Sequence, residues 1–222
     1  MTFPAIHNYA DFVKALRLAG FSMGGENGEG IFTLCDCFAP NIQWHTGDAE
    51  TDPWTYRMRV LSEKERIGYG KIFLQKGGYL TREWAPYFIA LRRSGAALQD
   101  MYQEGRVTHL EKQIYGLVEE KGEAALHEIK AVVSDKGLET ALARLQTSMY
   151  LTISGQTMKL SKDNLPYGWP VTTFCTTETF WGPDITKAAA ALSKDEAREA
   201  ITRQIKVLNP EAQEKAIRRF LG

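Results

Sequence analysis

Cysteine is scarce in this chain, with three in 222 residues at positions 35, 37 and 175. An odd and sparse set excludes a disulfide-stapled secreted scaffold. The Cys35-x-Cys37 pair lacks the two-residue spacer of common zinc knuckles and no histidine follows at a ligand spacing, so no metal site is expected and the thiols read as buried apolar groups. An excess of either charge is also missing. Twenty-seven basic residues cancel 27 acidic ones, and no global field draws the protein onto nucleic acid or anionic lipid. Any nucleic-acid face has to be local. There is no run of 18 apolar residues, and Met1 to His7 carry no basic segment ahead of an apolar one. The expectation is a cytoplasmic protein with no membrane association. Phosphate-cradling loops, serine elbows and paired metal-ligand motifs are absent. The glycines of residues 22–30 do not follow a dinucleotide fingerprint, so no cofactor is expected.

What is present is an ordinary globular composition, 44% hydrophobic and 24% charged, with enough chain for one domain or two small ones. Asn8 caps a helix over residues 9–19 that Gly20 stops. Residues 22–30 read as a glycine-rich loop, and residues 22–56 hold six acids and no Lys or Arg, a surface that phosphate repels. Asp52 and Pro53 start a second helix. Ser62 with Glu65 reads as a capping box for a further helix reaching the Gly77-Gly78 break, and Thr81 opens another through Trp84 and Phe88. Thr108 with Glu111 caps a helix through Val118. Two more follow, over residues 124–133 and 138–147, joined by Ser134 to Gly137, the short link of a helix-turn-helix.

Residues 149–153 and 157–160 then read as strands joined at Ser154-Gly155, a hairpin placed as a wing. Residues 164–170 read as a turn and 171–177 as a third strand. The end is helical, with Ser193 and Glu196 capping one helix and Asn209-Pro210 opening the last. The fold expected is mainly α with small β hairpins, arranged as tandem winged-helix-like units. The divisions are a module at 1–105, a winged-helix module at 106–182 and a helical tail at 183–222.

Local positive charge sits in both modules. Residues 62–93 carry seven basic residues against three acidic, and residues 130–162 carry five against two. The residues read as contacting nucleic acid are Lys64, Arg66, Lys71 and Arg82 in the first module, with Lys136, Arg144, Gln146, Lys159 and Lys162 in the second. A helix-turn-helix sends its second helix into the major groove. Arg144 and Gln146 on helix 138–147 are therefore the base-reading candidates, and Lys136, Lys159 and Lys162 suit phosphates. The alternative for the same surface is a protein partner on a non-enzymatic interaction module.

Catalytic candidates are confined to His45, Asp48 and Asp52, where a carboxylate next to an imidazole could orient a general base. The other reading of His45 is a locally bonded loop anchor. Tyr167, Trp169, Phe174, Phe180 and Trp181 form the densest aromatic group, read either as a patch for a flipped base or as packing between wing and tail.

The run Asp52-Pro53-Trp54 through Arg57, then Tyr69-Gly70-Lys71, Gly77-Gly78-Tyr79 and Trp84-x-x-Tyr87-Phe88, resembles short proteins related to the AlkZ-type winged-helix DNA glycosylases. Gly137-Leu138-Glu139 through Leu145-Gln146, Met149 and Tyr167-Gly168-Trp169 resemble the later module of the same relatives. The resemblance implies tandem winged-helix units with double-stranded DNA as partner, and base excision as the activity of the wider group. Enzymes of that group use a Gln-x-Asp or Gln-x-Gln pair to position water. Here Gln146 is followed by Thr147-Ser148 and Gln204 by Ile205-Lys206, so that pair is not matched.

Overall fold

A computed structural model describes residues 3–25, 28, 30–93, 95–133 and 136–222. The chain opens with α1 (Tyr9–Ala19). Asn8 accepts from the Asp11 N–H, and Gly20 turns the chain at φ +83°. Strand β1 (Phe21–Met23) follows, then a 3₁₀ turn at Leu34–Cys37 and α2 (Pro53–Arg59). Strands β2 (Gly68–Phe73) and β3 (Lys76–Leu80) complete a three-stranded sheet of order β1-β3-β2, antiparallel throughout.

The helix expected from Ser62 to the Gly77-Gly78 break is thus a hairpin. Leu74 and Gln75, both at positive φ (54° and 58°), form its two-residue turn. That is the backbone a tight hairpin needs, without the Asn-Gly pair that signals it. Ser62 ends a 3₁₀ turn, and Glu65 pairs with Arg17 at 2.8 Å instead of capping a helix. Glycine is required where neighbours press closest. A Cβ on Gly78 would lie 2.4 Å from the Phe73 ring, and one on Gly70 2.6 Å from the Gln146 side-chain oxygen.

Two short helices, α3 (Ala85–Arg93) and α4 (Leu98–Gln103), lead to α5 (His109–Lys121), opened by the Thr108/Glu111 capping box. Then come β4 (Glu123–Ala125), α6 (Leu126–Val132) and α7 (Leu138–Thr147). Ser134 and Asp135 of the expected link lie outside the described residues. Strands β5 (Leu151–Leu160) and β6 (Pro166–Thr176) pair with β4 in a second antiparallel sheet of order β4-β6-β5.

The expected turn at Ser154-Gly155 is instead a register shift inside one continuous strand, and the true turn spans Ser161 to Leu165, closed by Ser161 N–H to Leu165 C=O at 2.9 Å. Residues 166–170, expected as a turn, belong to β6. Proline is tolerated there because β4 covers only residues 173–175 of β6.

Four helices end the chain: α8 (Thr177–Trp181), α9 (Asp184–Ala190), α10 (Lys194–Leu208) and α11 (Glu214–Leu221). Ser193 and Glu196 cap α10 reciprocally. Asn209 does not open the last helix. It closes α10 through its N–H to Ile205 and ties down the Gly30 carbonyl, and α11 starts after Gln213.

Buried apolar residues gather in two clusters. One joins α1, the first sheet and α3 to α10 and α11, with Phe73 stacked on Phe220 at 4.6 Å between ring centroids. The other joins α4 to α7 and the second sheet. Arg92 and Arg93, at the end of α3, tie the parts together. Arg92 donates to the carbonyls of Ile72 and Thr147, both at 2.8 Å, and of Phe220 at 3.3 Å. Arg93 donates to the Met149 carbonyl, pairs with Glu178 and lies 4.6 Å above the Tyr150 ring. Burial disfavours the Arg92 charge, pushing its pKa down to about 9, while three carbonyl acceptors favour the cation.

Candidate nucleic-acid interface

The first-module cations converge in part. A cleft of about 500 Å³ is lined by Lys64, Glu65, Arg66 and Arg82 against residues 179–182. Trp181 builds its wall, with the indole Nε1 donating to the Arg66 carbonyl at 3.0 Å and the ring packed where only the bare Gly68 fits. Arg66 donates to the Phe180 carbonyl at 3.3 Å and keeps its head exposed. Arg82 is paired with Asp184 at 2.5 Å, which holds that carboxyl below the usual carboxylate range, and Glu65 is paired with Arg17. Among the described residues, Lys64 and Arg66 are the cleft's cations without an ion pair. Lys71 stands apart, on the exposed side of β2.

On α7 the sequence expectation requires correction. Gln146 is only 3% exposed: its amide nitrogen donates to the Leu142 carbonyl and its oxygen accepts the Lys71 N–H, each at 2.9 Å. It is a rivet between α7 and β2, unable to reach a base. Arg144 is spent on the buried Glu111 carboxylate at 3.1 Å and the Arg106 carbonyl. Lys136 is exposed just ahead of the helix.

The hairpin of β5 and β6 carries the remaining pair. Beyond residue 172 towards its tip no third strand covers it, and it projects as a two-stranded ribbon. Lys159 is paired in register with Tyr167, and Lys162 stands in the turn. Trp169 is 87% exposed, and Leu160, Leu165 and Tyr167 are each more than half exposed. Lys159, Tyr167 and Trp169 border a shallow depression of about 460 Å³ together with Leu126. The aromatic group read from sequence therefore divides, since Phe174, Phe180 and Trp181 are core while Tyr167 and Trp169 face solvent.

The catalytic candidates serve loop structure. Asp52, 1% exposed, accepts the backbone N–H groups of His45, Gly47 and Trp54 at 2.8–3.0 Å. Burial raises its pKa, but those bonds outweigh burial and hold the carboxyl below its ordinary value. Asp48 accepts from Glu50, Thr51 N–H and Thr51 Oγ1, and is likewise held low. His45, at φ 64°, lies 4.7 Å from the Trp54 ring, whose face Arg57 covers at 3.2 Å. The three-residue spacing of Trp54 and Arg57 puts both on one side of the helix, and it is the approach of His45 to that pair that only the fold reveals. Of the thiols, Cys175 is buried and pushed up to about 12.

The protein is a mixed α/β chain with two small antiparallel sheets and a locally basic surface, and among its described residues no helix is long and apolar enough to cross a membrane. A family model described as AlkZ related matches residues 6–222, and the chain belongs to that family. No curated protein and no solved structure matches it.

Proposed function

We propose that this member of the AlkZ-related family binds double-stranded DNA through two winged-helix-like units, at 1–105 and 106–182, buttressed by the helical tail at 183–222. The observation that carries the reading is a repeated topology. In each half a helix leads into a short strand, helical segments follow, and a hairpin closes a sheet whose middle strand is the last one. A helix–strand–helix–helix–hairpin order is that of a winged helix, and the β5–β6 ribbon is the second unit's wing. On this reading Lys159 and Lys162 meet phosphates, and Tyr167 and Trp169 lie against the sugar edge of a groove. The cleft with Lys64, Arg66 and Arg82 is a second phosphate contact, with Lys71 and Lys136 as outlying cations.

Base excision is not part of the proposal. The water-positioning pair of the wider group is unmatched, and the carboxylates of Asp48 and Asp52 are committed to backbone N–H groups.

The test is fluorescence anisotropy of a labelled duplex over a salt series. Affinity should fall with salt at a slope near 0.9 per phosphate contact, and the Lys159→Ala/Lys162→Ala protein should lose about two units of slope. Absence of duplex binding at low salt would sink the reading and leave the ribbon to a protein partner.

A further inference from the structure

One cavity lies away from every residue assigned to DNA above. About 710 Å³ in volume, it opens between the end of α3, the body of α9 and the start of α10. That size is in the range of small-molecule sites rather than macromolecular grooves. Its wall is apolar where Ile89, Ala190 and Leu192 contribute, and cationic where Lys187 and Lys194 do, Arg93 being already paired with Glu178. No Asp or Glu is among its described lining residues.

Lys187 and Lys194 are exposed, and neither makes an ion pair among the described residues. Arg93, 7% exposed, has both terminal nitrogens engaged, but its Nε is buried without an acceptor.

We propose that this cavity is a binding site for a small amphipathic anion, a carboxylate, sulfonate or phosphate monoester on an apolar body. The apolar body occupies the Ile89, Ala190 and Leu192 wall. The charged head lies between the Lys187 and Lys194 ammonium groups. The lysines are solvated and select the sign of the ligand charge, and the apolar wall supplies most of the affinity. A ligand that binds the folded chain at this cavity should raise its melting temperature.

The probe is 8-anilinonaphthalene-1-sulfonate, compared with N-phenyl-1-naphthylamine, the same ring system without the sulfonate. The full-length protein should enhance the sulfonate's fluorescence saturably with one site, more tightly than the neutral compound. Decanoate should displace it and decanol should not. The surface variant Lys187→Glu/Lys194→Glu should weaken sulfonate binding about tenfold while sparing the neutral compound. Ala190→Trp, at an exposed position of the cavity rim, should abolish binding of both with circular dichroism unchanged. Equal affinity for charged and neutral probes would overturn the proposal. So would a sulfonate signal that survives Ala190→Trp, or one lost instead in Trp169→Ala. Should Ala190→Trp fail to fold, the charge-reversed protein decides alone, and an unchanged sulfonate affinity there refutes the site.

Discussion

The two hairpins share a topology and differ in what surrounds them. The β2–β3 hairpin has strands of six and five residues, a two-residue turn, and a face sealed by Phe220 and the C-terminal helices. The β5–β6 hairpin has strands of ten and eleven residues, with an outer half that buries almost nothing. A long two-stranded ribbon is marginal in water by itself. Here it grows from a sheet whose base is locked by Leu151, Phe174 and Cys175. The first hairpin therefore contributes stability, while the second is free to contribute contacts.

The sharpest way to break that division is at Arg92. Arg92→Ala removes the donor to three carbonyls from three elements and should destabilise the protein by about 3–5 kcal/mol, seen as a lowered urea midpoint. A loss under about 1 kcal/mol would mean the parts hold together without the clamp. Phe220→Ala should cost a similar ~3–4 kcal/mol by opening the first hairpin's seal.

Asp52→Ala comes next, at about 1–2 kcal/mol for a lost cap with two further N–H groups released. Because the folded pKa of Asp52 is depressed, its contribution is present above the unfolded carboxyl value near 3.9 and is lost as pH falls through the folded value. Acid titration of stability should show a steeper loss below about pH 4 in the parent than in Asp52→Ala. Parallel acid limbs would refute the assignment.

Smallest in stability should be Trp169→Ala, within about 0.5 kcal/mol of the parent because the ring is solvated, yet it should weaken duplex binding measurably. A large stability loss there would show that the ribbon packs on something, and the contrast between the hairpins would fall.

Much of the helical framework was legible because capping residues announce it. Asn8, Asp52, Thr108 and Ser193 all accept the expected backbone bonds. The first hairpin was not, since Leu74 and Gln75 adopt positive φ without the Asn or Gly that announces such a turn. The long ribbon was disguised by Pro166, Gly168 and Pro170, which read as a turn anywhere except on an uncovered strand. For the interface, counting cations found the right segments but not their fates. Arg92, Arg93 and Arg144 raise the local charge in sequence, and the fold turns all three inward or onto partners. Which cations remain available depends on carbonyls and carboxylates distant along the chain, and periodicity carries no record of those.

The uncovered part of β6 has a consequence for self-association. An open strand edge is a template on which a second copy could extend the ladder, and long apolar edges of that kind seed aggregates. Pro166 and Pro170 bring no N–H to such a ladder, and Lys159 and Lys162 bring charge to the same ribbon. Main-chain zippering is thereby discouraged while the Tyr167 and Trp169 rings stay open to visitors. The prolines that give this segment the look of a turn thus also guard its open edge.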